Sequence, residues 1–223
     1  QGNELKPNTN FKVYLNGQYL NFDSIVPDGT YEYNLYLTEG KNTVYIYAVD
    51  NEQYTAEKTL TVTYTPDETE AKVHVIVSAE VVGLGTFFDE YVTTTTGKSV
   101  AQIVEERLAA HSYGTIYDGT PASGDYFLHF LEKNGITNDW SISTEERNLL
   151  AELGYEITEG PNNPKRLGTK DFTAGSGWMV TLNHYYIGQS MGTRAIRDGD
   201  EIHVIYTLSV GKDIGVDPTT RVY

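Results

Sequence analysis

Thirty-one acids, five histidines at 74, 111, 129, 184 and 203, and no cysteine are the raw material for any chemistry in this 223-residue chain. Without cysteine there are no disulfides, no thiolate metal sites and no cysteine nucleophile. The histidines form no His-x-x-x-His pair, so their spacing argues against zinc. His74 and His203 are expected on adjacent strands, where they read as structural surface residues rather than metal ligands. Gly175-Ser176-Gly177 has the wrong spacing for a nucleophile elbow. Gly83-Leu84-Gly85 lacks the third glycine of a dinucleotide fingerprint. Gly97-Lys98-Ser99 imitates the end of a phosphate-binding loop, but Val92 stands where the first glycine belongs. Asp50-Asn51-Glu52 could offer oxygens to calcium and reads better as a turn. The carboxylates are dispersed, and no glycosidase pair stands out among them. These patterns point away from catalysis, and no cofactor is expected.

Recognition is the chemistry that remains. Its candidate residues are Trp178, Met179, Tyr185, Tyr186 and Met191, all within the stretch Gly175 to Tyr206. Trp178, Val180 and Leu182 alternate with Met179, Thr181 and Asn183, the period of a half-buried strand. Ile202, Val204 and Tyr206 repeat that alternation after the turn residues Asp198-Gly199-Asp200. Between these strands a loop rich in Tyr, Gly and Met would carry Tyr185, Tyr186 and Met191 as a binding surface, with Trp178 at its base. Trp178 has an equal claim to be core, since it begins a strand.

The pattern Ser176-Gly177-Trp178-Met179, an Asn-centred turn, and Arg197-Asp198-Gly199-Asp200-Glu201-Ile202 before an apolar strand ending in Tyr206 resembles the transcobalamin-like C-terminal domain. That family is a β-grasp-related module of vertebrate cobalamin carriers and of many surface proteins of Gram-positive bacteria. The resemblance spans roughly residues 71 to 215, including the trailing Gly211-Lys212-Asp213-Ile214-Gly215. Two positions depart from it: Val180 stands where an aromatic is common, and Asn183-His184 replaces the usual Asn-Gly turn. Asn and His tolerate positive φ, so the turn can survive. The resemblance implies a β-grasp fold and a ligand docked at the Trp178 end of the sheet. It also admits a corrinoid, although the helical barrel that covers the other face of cobalamin in the carriers has no counterpart here.

The elements that must position these residues fall into two domains, giving a mainly β chain. Residues 1–66 read as an immunoglobulin-like β-sandwich, 67–70 as a linker, and 71–223 as an α+β β-grasp-like domain with inserted short helices. In the first, residues 1 to 10 are polar and read as disordered or linker. Phe11, Val13 and Leu15 alternate into the hairpin dipeptide Asn16-Gly17, and Tyr19-Leu20 return. Tyr31, Tyr33, Leu35 and Leu37, then Val44, Ile46 and Ala48, then Leu60, Val62 and Tyr64 continue the strands. The run Gly40 to Tyr64 resembles the closing strands of bacterial immunoglobulin-like domains, but about 65 residues is small for that fold and suggests a missing edge strand.

In the second domain, Ala71 to Val77 and Tyr91 to Thr96 read as strands. Ser99 and Gln102 form a capping box ahead of a helix whose apolar stripe is Val100, Ile103, Val104 and Leu108. Tyr126, Phe127, Phe130 and Leu131 have helical spacing and predict a helix ended by Asn134-Gly135. Ser143-Thr144-Glu145-Glu146 reads as a second capping box and predicts another helix, carrying Leu149, Leu150 and Leu153 and closed by Gly154. Gly160, Pro161 and Pro164 mark a loop.

The charge bounds the partners. Sixteen basic residues against 31 acids leave a net charge of −15, which repels phosphate backbones and anionic membrane surfaces. No nucleic-acid partner and no membrane insertion are expected, and no apolar run reaches spanning length. The start at Gln1 and stop at Tyr223 suggest a mature chain or a fragment. The function expected is a non-catalytic binding or adhesion module, extracellular or on the surface of a Gram-positive bacterium. Its extracellular ligand would be a cobalamin-like small molecule, a glycan or a host protein. A corrinoid carrier is the alternative and an enzyme the third reading.

Overall fold

The structure is a computed structural model and describes residues 10–20, 24–25, 31–33, 35, 37–65, 68–158, 160–161, 163–188 and 190–216. The polar stretch 1–9 and Pro66 lie outside the described residues. The chain is mainly β, with several sheets, and divides into two compact units, Gln1–Asp67 and Glu68–Tyr223.

In the first unit β1 (Phe11–Leu15) turns at Asn16 and Gly17 into β2 (Gln18–Leu20). Both turn residues have positive φ, 51° and 83°, the handedness that matches strand twist in a two-residue hairpin. A short pair follows, β3 (Ser24–Ile25) with β4 (Tyr31–Glu32). The long strands β5 (Gly40–Val49) and β6 (Thr55–Tyr64) complete a sheet of order β2-β1-β5-β6. Val13, Leu15, Leu20 and Val44 form its small core. Asn42 is fully buried beneath it and satisfied: its amide donates to the carbonyls of Thr38 (2.6 Å) and Gly40 (3.1 Å), and its oxygen accepts from Asn16 Nδ2 at 2.9 Å. Asp50 accepts from the backbone of Glu52 and Tyr54, both at 2.9 Å, so Asp50-Asn51-Glu52 is the turn anticipated. The alternation from Tyr31 to Leu37 is not one strand. Among the described residues only Tyr31 and Glu32 pair, with Ile25 and Ser24, and Tyr33, Leu35 and Leu37 lie outside strands. Alternation without a ladder partner leaves the backbone with nothing to bond.

The second unit runs β7 (Glu70–Ala79), β8 (Gly85–Thr95), α1 (Val100–Ala110), β9 (Gly114–Asp118), β10 (Phe127–Glu132), α2 (Thr144–Glu152) and β11 (Arg166–Gly168). It ends with β12 (Gly177–Leu182), β13 (Tyr185–Tyr186) and β14 (Glu201–Thr207). Five of these strands make one sheet of order β13-β12-β14-β7-β8. Its neighbours are antiparallel except β14 and β7, so the first and last strands of the unit lie parallel at its centre. Val73, Val75 and Val77 share the buried face with Ile202, Val204 and Tyr206, and Ile103, Val104 and Leu108 of α1 complete that core. Each such fully buried side chain stabilises the fold by about 1.5–3 kcal/mol. The capping box predicted for α1 is present: Ser99 Oγ accepts from Gln102 N at 3.2 Å, and Gln102 Oε1 from Ser99 N at 2.8 Å.

Four expectations change here. The helix predicted over Tyr126 to Leu131 is strand β10, paired with β9 and β11 in a three-stranded sheet. A bulge between Leu128 and Phe130 turns both Leu128 and Leu131 inward, three residues apart, and so imitates helical spacing. The strand expected from Tyr91 begins at Gly85 and runs eleven residues. β12 is not half-buried: residues 178 to 182 are buried on both faces, with 209–216 folded back over Met179. Tyr185 and Tyr186 are not on a loop but form β13, hydrogen-bonded to the end of β12. The second predicted helix stands as α2, with Gly154 at φ 79° beyond its end, but only half of its expected capping box forms: Ser143 accepts from Glu146 N at 3.0 Å, while Glu146 Oε1 is buried without a hydrogen-bond partner. Among the described residues no helix is long and apolar enough to cross a membrane.

Candidate binding cleft

Asn183 and His184 both take positive φ, 52° and 66°, and so fold β13 back onto β12. Asn183 Nδ2 donates to Asp200 Oδ1 at 2.7 Å, and Asp200 Oδ2 accepts from Arg197 N at 2.7 Å. One carboxylate therefore ties the hairpin turn to the Asp198-Gly199-Asp200 turn. After β13 the chain passes Ile187 and Gly188 and enters a single 3-10 turn, Met191–Thr193. Ser190 caps that turn, and its hydroxyl lies 3.1 Å and 3.0 Å from the carbonyl oxygens of Ser123 and Tyr126. Gly192 is pressed so close to the same loop that an added Cβ would fall 2.1 Å from Ser123 O. Residues 190–193 are thus fastened to the 120–126 turn that leads into β10.

Between these two segments and the edge of β12 lies a cleft of about 390 Å³. Trp178, Met179, Tyr186 and Met191 line it, together with Tyr126 and Phe127 from the β10 side. Four of the five anticipated residues are therefore brought together, and Tyr185 is not: it stands outside, 58% exposed. Trp178 and Met191 are wall rather than projecting surface, at 8% and 7% exposure. Trp178 makes edge contacts with Tyr206 (5.0 Å) and Phe87 (6.2 Å), and its indole N–H donates to Leu167 O at 3.0 Å. It is both core and cleft wall. Met179 leans the other way, against Gly211, where φ is +88° and a Cβ would sit 2.5 Å from the sulfur.

The polar groups of the cleft are few. Asp125 is exposed at its lip and bonded to Ser123 Oγ. Tyr126 turns its hydroxyl away to Glu105 Oε1 at 2.5 Å, and burial followed by that bond pushes its pKa well up, so it stays a neutral phenol. Among the described lining residues Asp125 is the sole carboxylate and there is no histidine. Such a lining can hold an apolar or aromatic group and orient a polar substituent toward Asp125.

The half formed by 124–128 was missed in the sequence, because Tyr126 to Leu131 was read as a helix. The turn residues Gly119, Pro121 and Gly124 ahead of it were the available sign of a hairpin. On the opposite face of the five-stranded sheet, His74 is held between Asp89 (Nε2, 2.6 Å) and Glu201 (Nδ1, 3.1 Å). His203 lies 2.9 Å from Ser78 Oγ, and burial holds its pKa below the usual imidazole range. His74 and His203 are thus each engaged with neighbours on adjoining strands. Among the described residues no group of three or more His, Asp or Glu is placed to hold a metal ion.

No family model, no curated protein and no solved structure matches this chain.

Proposed function

We propose that the chain is a non-catalytic binding module, displayed outside the cell or on its surface, that takes a small apolar or aromatic group into the Trp178 cleft. The observation that carries the reading is the cleft itself: Trp178, Tyr186 and Met191 line one hollow together with Tyr126 and Phe127. Its volume of about 390 Å³ lies within the range of small-molecule sites, about 300–1,000 Å³. It suits one ring system or one side chain rather than a whole corrinoid, so the adhesion reading, with a protein or small-molecule ligand, stands ahead of the carrier reading. The first unit is read as a compact immunoglobulin-like sandwich that acts as a spacer. The second is read as β-grasp-like, which its sheet order and central parallel pair support. A Gram-positive source follows from the resemblance alone.

The test is titration of the chain with cobalamin, cobinamide and a set of small aromatic compounds, followed by tryptophan quenching and calorimetry. Aromatic ligands should bind, and Tyr186→Ala should weaken them about tenfold, while Tyr185→Ala leaves both affinity and stability within about 1 kcal/mol of the parent. Micromolar or tighter cobinamide binding, about 8 kcal/mol, would make the corrinoid carrier the better reading. Aromatic binding that Tyr186→Ala leaves unchanged would remove the cleft from consideration.

A further inference from the structure

The first unit carries a second surface, independent of the cleft. On β1, β2 and β5 the side chains facing away from Val13, Leu15, Leu20 and Val44 include Tyr14, Tyr19, Tyr45 and Tyr47, beside Lys12, Lys41, Thr43 and Val49. Tyr14 is paired with Tyr19 on one side and with Tyr45 on the other. Its ring lies 5.6 Å from that of Tyr19 at 71°, and 5.9 Å from that of Tyr45 at 42°. The row Tyr19–Tyr14–Tyr45 crosses three strands at right angles and continues into Thr59 on β6. In the next rung Tyr47 stands between Lys12 and Glu57.

The fold does not require these rings. Cross-strand pairs on an outer face contribute about 0.2–1 kcal/mol each, and threonine or valine, which prefer strands equally, would pair without presenting aromatic area to water. Tyr19 is 40% exposed, and Tyr14, Tyr45 and Tyr47 are partly so. A tyrosine ring offers an apolar face to the C–H surface of a sugar ring and a hydroxyl to its substituents. Three rings set side by side, bordered by Thr59, Lys12 and Glu57, repeat that offer along a line.

We infer that this row binds a neutral, soluble polysaccharide chain, with successive pyranose rings resting on successive tyrosines. Charge decides the class of glycan. Lys12 and Glu57 cancel at the surface, and the net charge of −15 repels polyanions. Ring orientation decides its form. Rings turned 71° and 42° from their neighbours make a twisted track and not a flat table, which suits a single chain in solution rather than the face of a crystalline fibre.

The experiment uses the full chain in native affinity electrophoresis and calorimetry. The panel is hydroxyethylcellulose, laminarin, galactomannan and soluble starch, with polygalacturonate and microcrystalline cellulose as controls. At least one neutral soluble polymer should retard the chain, and neither control should bind. Tyr14→Thr and Tyr45→Thr should each weaken that binding about tenfold, Tyr14→Phe should stay within about threefold, and the cleft variant Tyr186→Ala should not change it. Tyr19→Thr, on an edge strand, serves the same purpose if either central variant loses its circular dichroism spectrum. No retardation by any of the four polymers overturns the inference, as does binding that the threonine variants leave intact. A concentration-dependent dimer that Tyr14→Thr abolishes would overturn it in favour of an interface between copies. Because the cleft lies on the other unit, failure here leaves the Trp178 reading standing, and the reverse.

Discussion

The indole N–H of Trp178 donates to the backbone carbonyl of Leu167 at 3.0 Å, joining β12 of the five-stranded sheet to β11 of the three-stranded one. This bond fixes which way the ring turns: one edge meets Tyr206 and Phe87, and the remainder closes the cleft. Core packing and site shape therefore rest on one side chain.

Trp178→Ala is expected to destabilise the second unit by about 3–5 kcal/mol, as for a buried aromatic removed from a packed site. Trp178→Phe keeps most of the apolar volume but removes the indole donor from a Leu167 carbonyl that still faces Leu131 in the β10–β11 ladder, at a cost of about 0.5–1.5 kcal/mol. Urea unfolding followed by circular dichroism separates the two. Equal, negligible losses would mean that the ring is not core.

Gly192→Ala should act on the cleft from outside it. The new methyl would meet Ser123 O at 2.1 Å, and that neighbour is backbone with little room to give. The strap 190–193 must lift, at about 1–3 kcal/mol, and carry Met191 out of the wall. Thermal melting together with the aromatic titration should show lower stability and weaker binding; unchanged values in both would show the strap to be loose already.

The third expectation concerns pH. The hydrogen bond to Asp89, assisted by Glu201 and opposed by burial, raises the His74 pKa above the ordinary 6.5. The groups facing it are Asp89 and Tyr91 on β8 and Glu201 on β14, and Glu201 is shared with His184 at 3.6 Å. Because the folded value is the higher one, the stabilisation is complete below about pH 6.5 and is lost as pH rises through the folded pKa. His203 shifts in the opposite sense, so the parent alone would blur the effect. His74→Phe retains a ring to stack on Tyr91 and removes the titration. The stability difference between parent and variant should shrink as pH rises above about 6.5. A difference that stays flat would mean that His74 gains nothing from its two carboxylates in the folded state.

The parts of the fold that could be read directly are those whose determinants sit a few residues apart. Asn16-Gly17 and Asn183-His184 make hairpins because the residues that must take positive φ are adjacent to the strands they join. Ser99 with Gln102, and Ser143 with Gly154, bracket helices because capping is a contact within one or two turns. The apolar alternations of β7 and β14 likewise announced a buried face, since side-chain direction along a strand has a fixed period of two.

What needed the tertiary structure were the features set by distant partners. The bulge in β10 depends on pairing with β9 and β11, and without those neighbours Leu128 and Leu131 look like one face of a helix. The burial of β12 on both sides depends on the return of 209–216 over Met179. The cleft is the extreme case. Its two walls meet through Ser190 and Tyr126, 64 residues apart, so the sequence could name Trp178, Tyr186 and Met191 but not the Tyr126 side they face. A hydrogen bond over that separation leaves no periodicity in the chain, because neither residue's own neighbours depend on it.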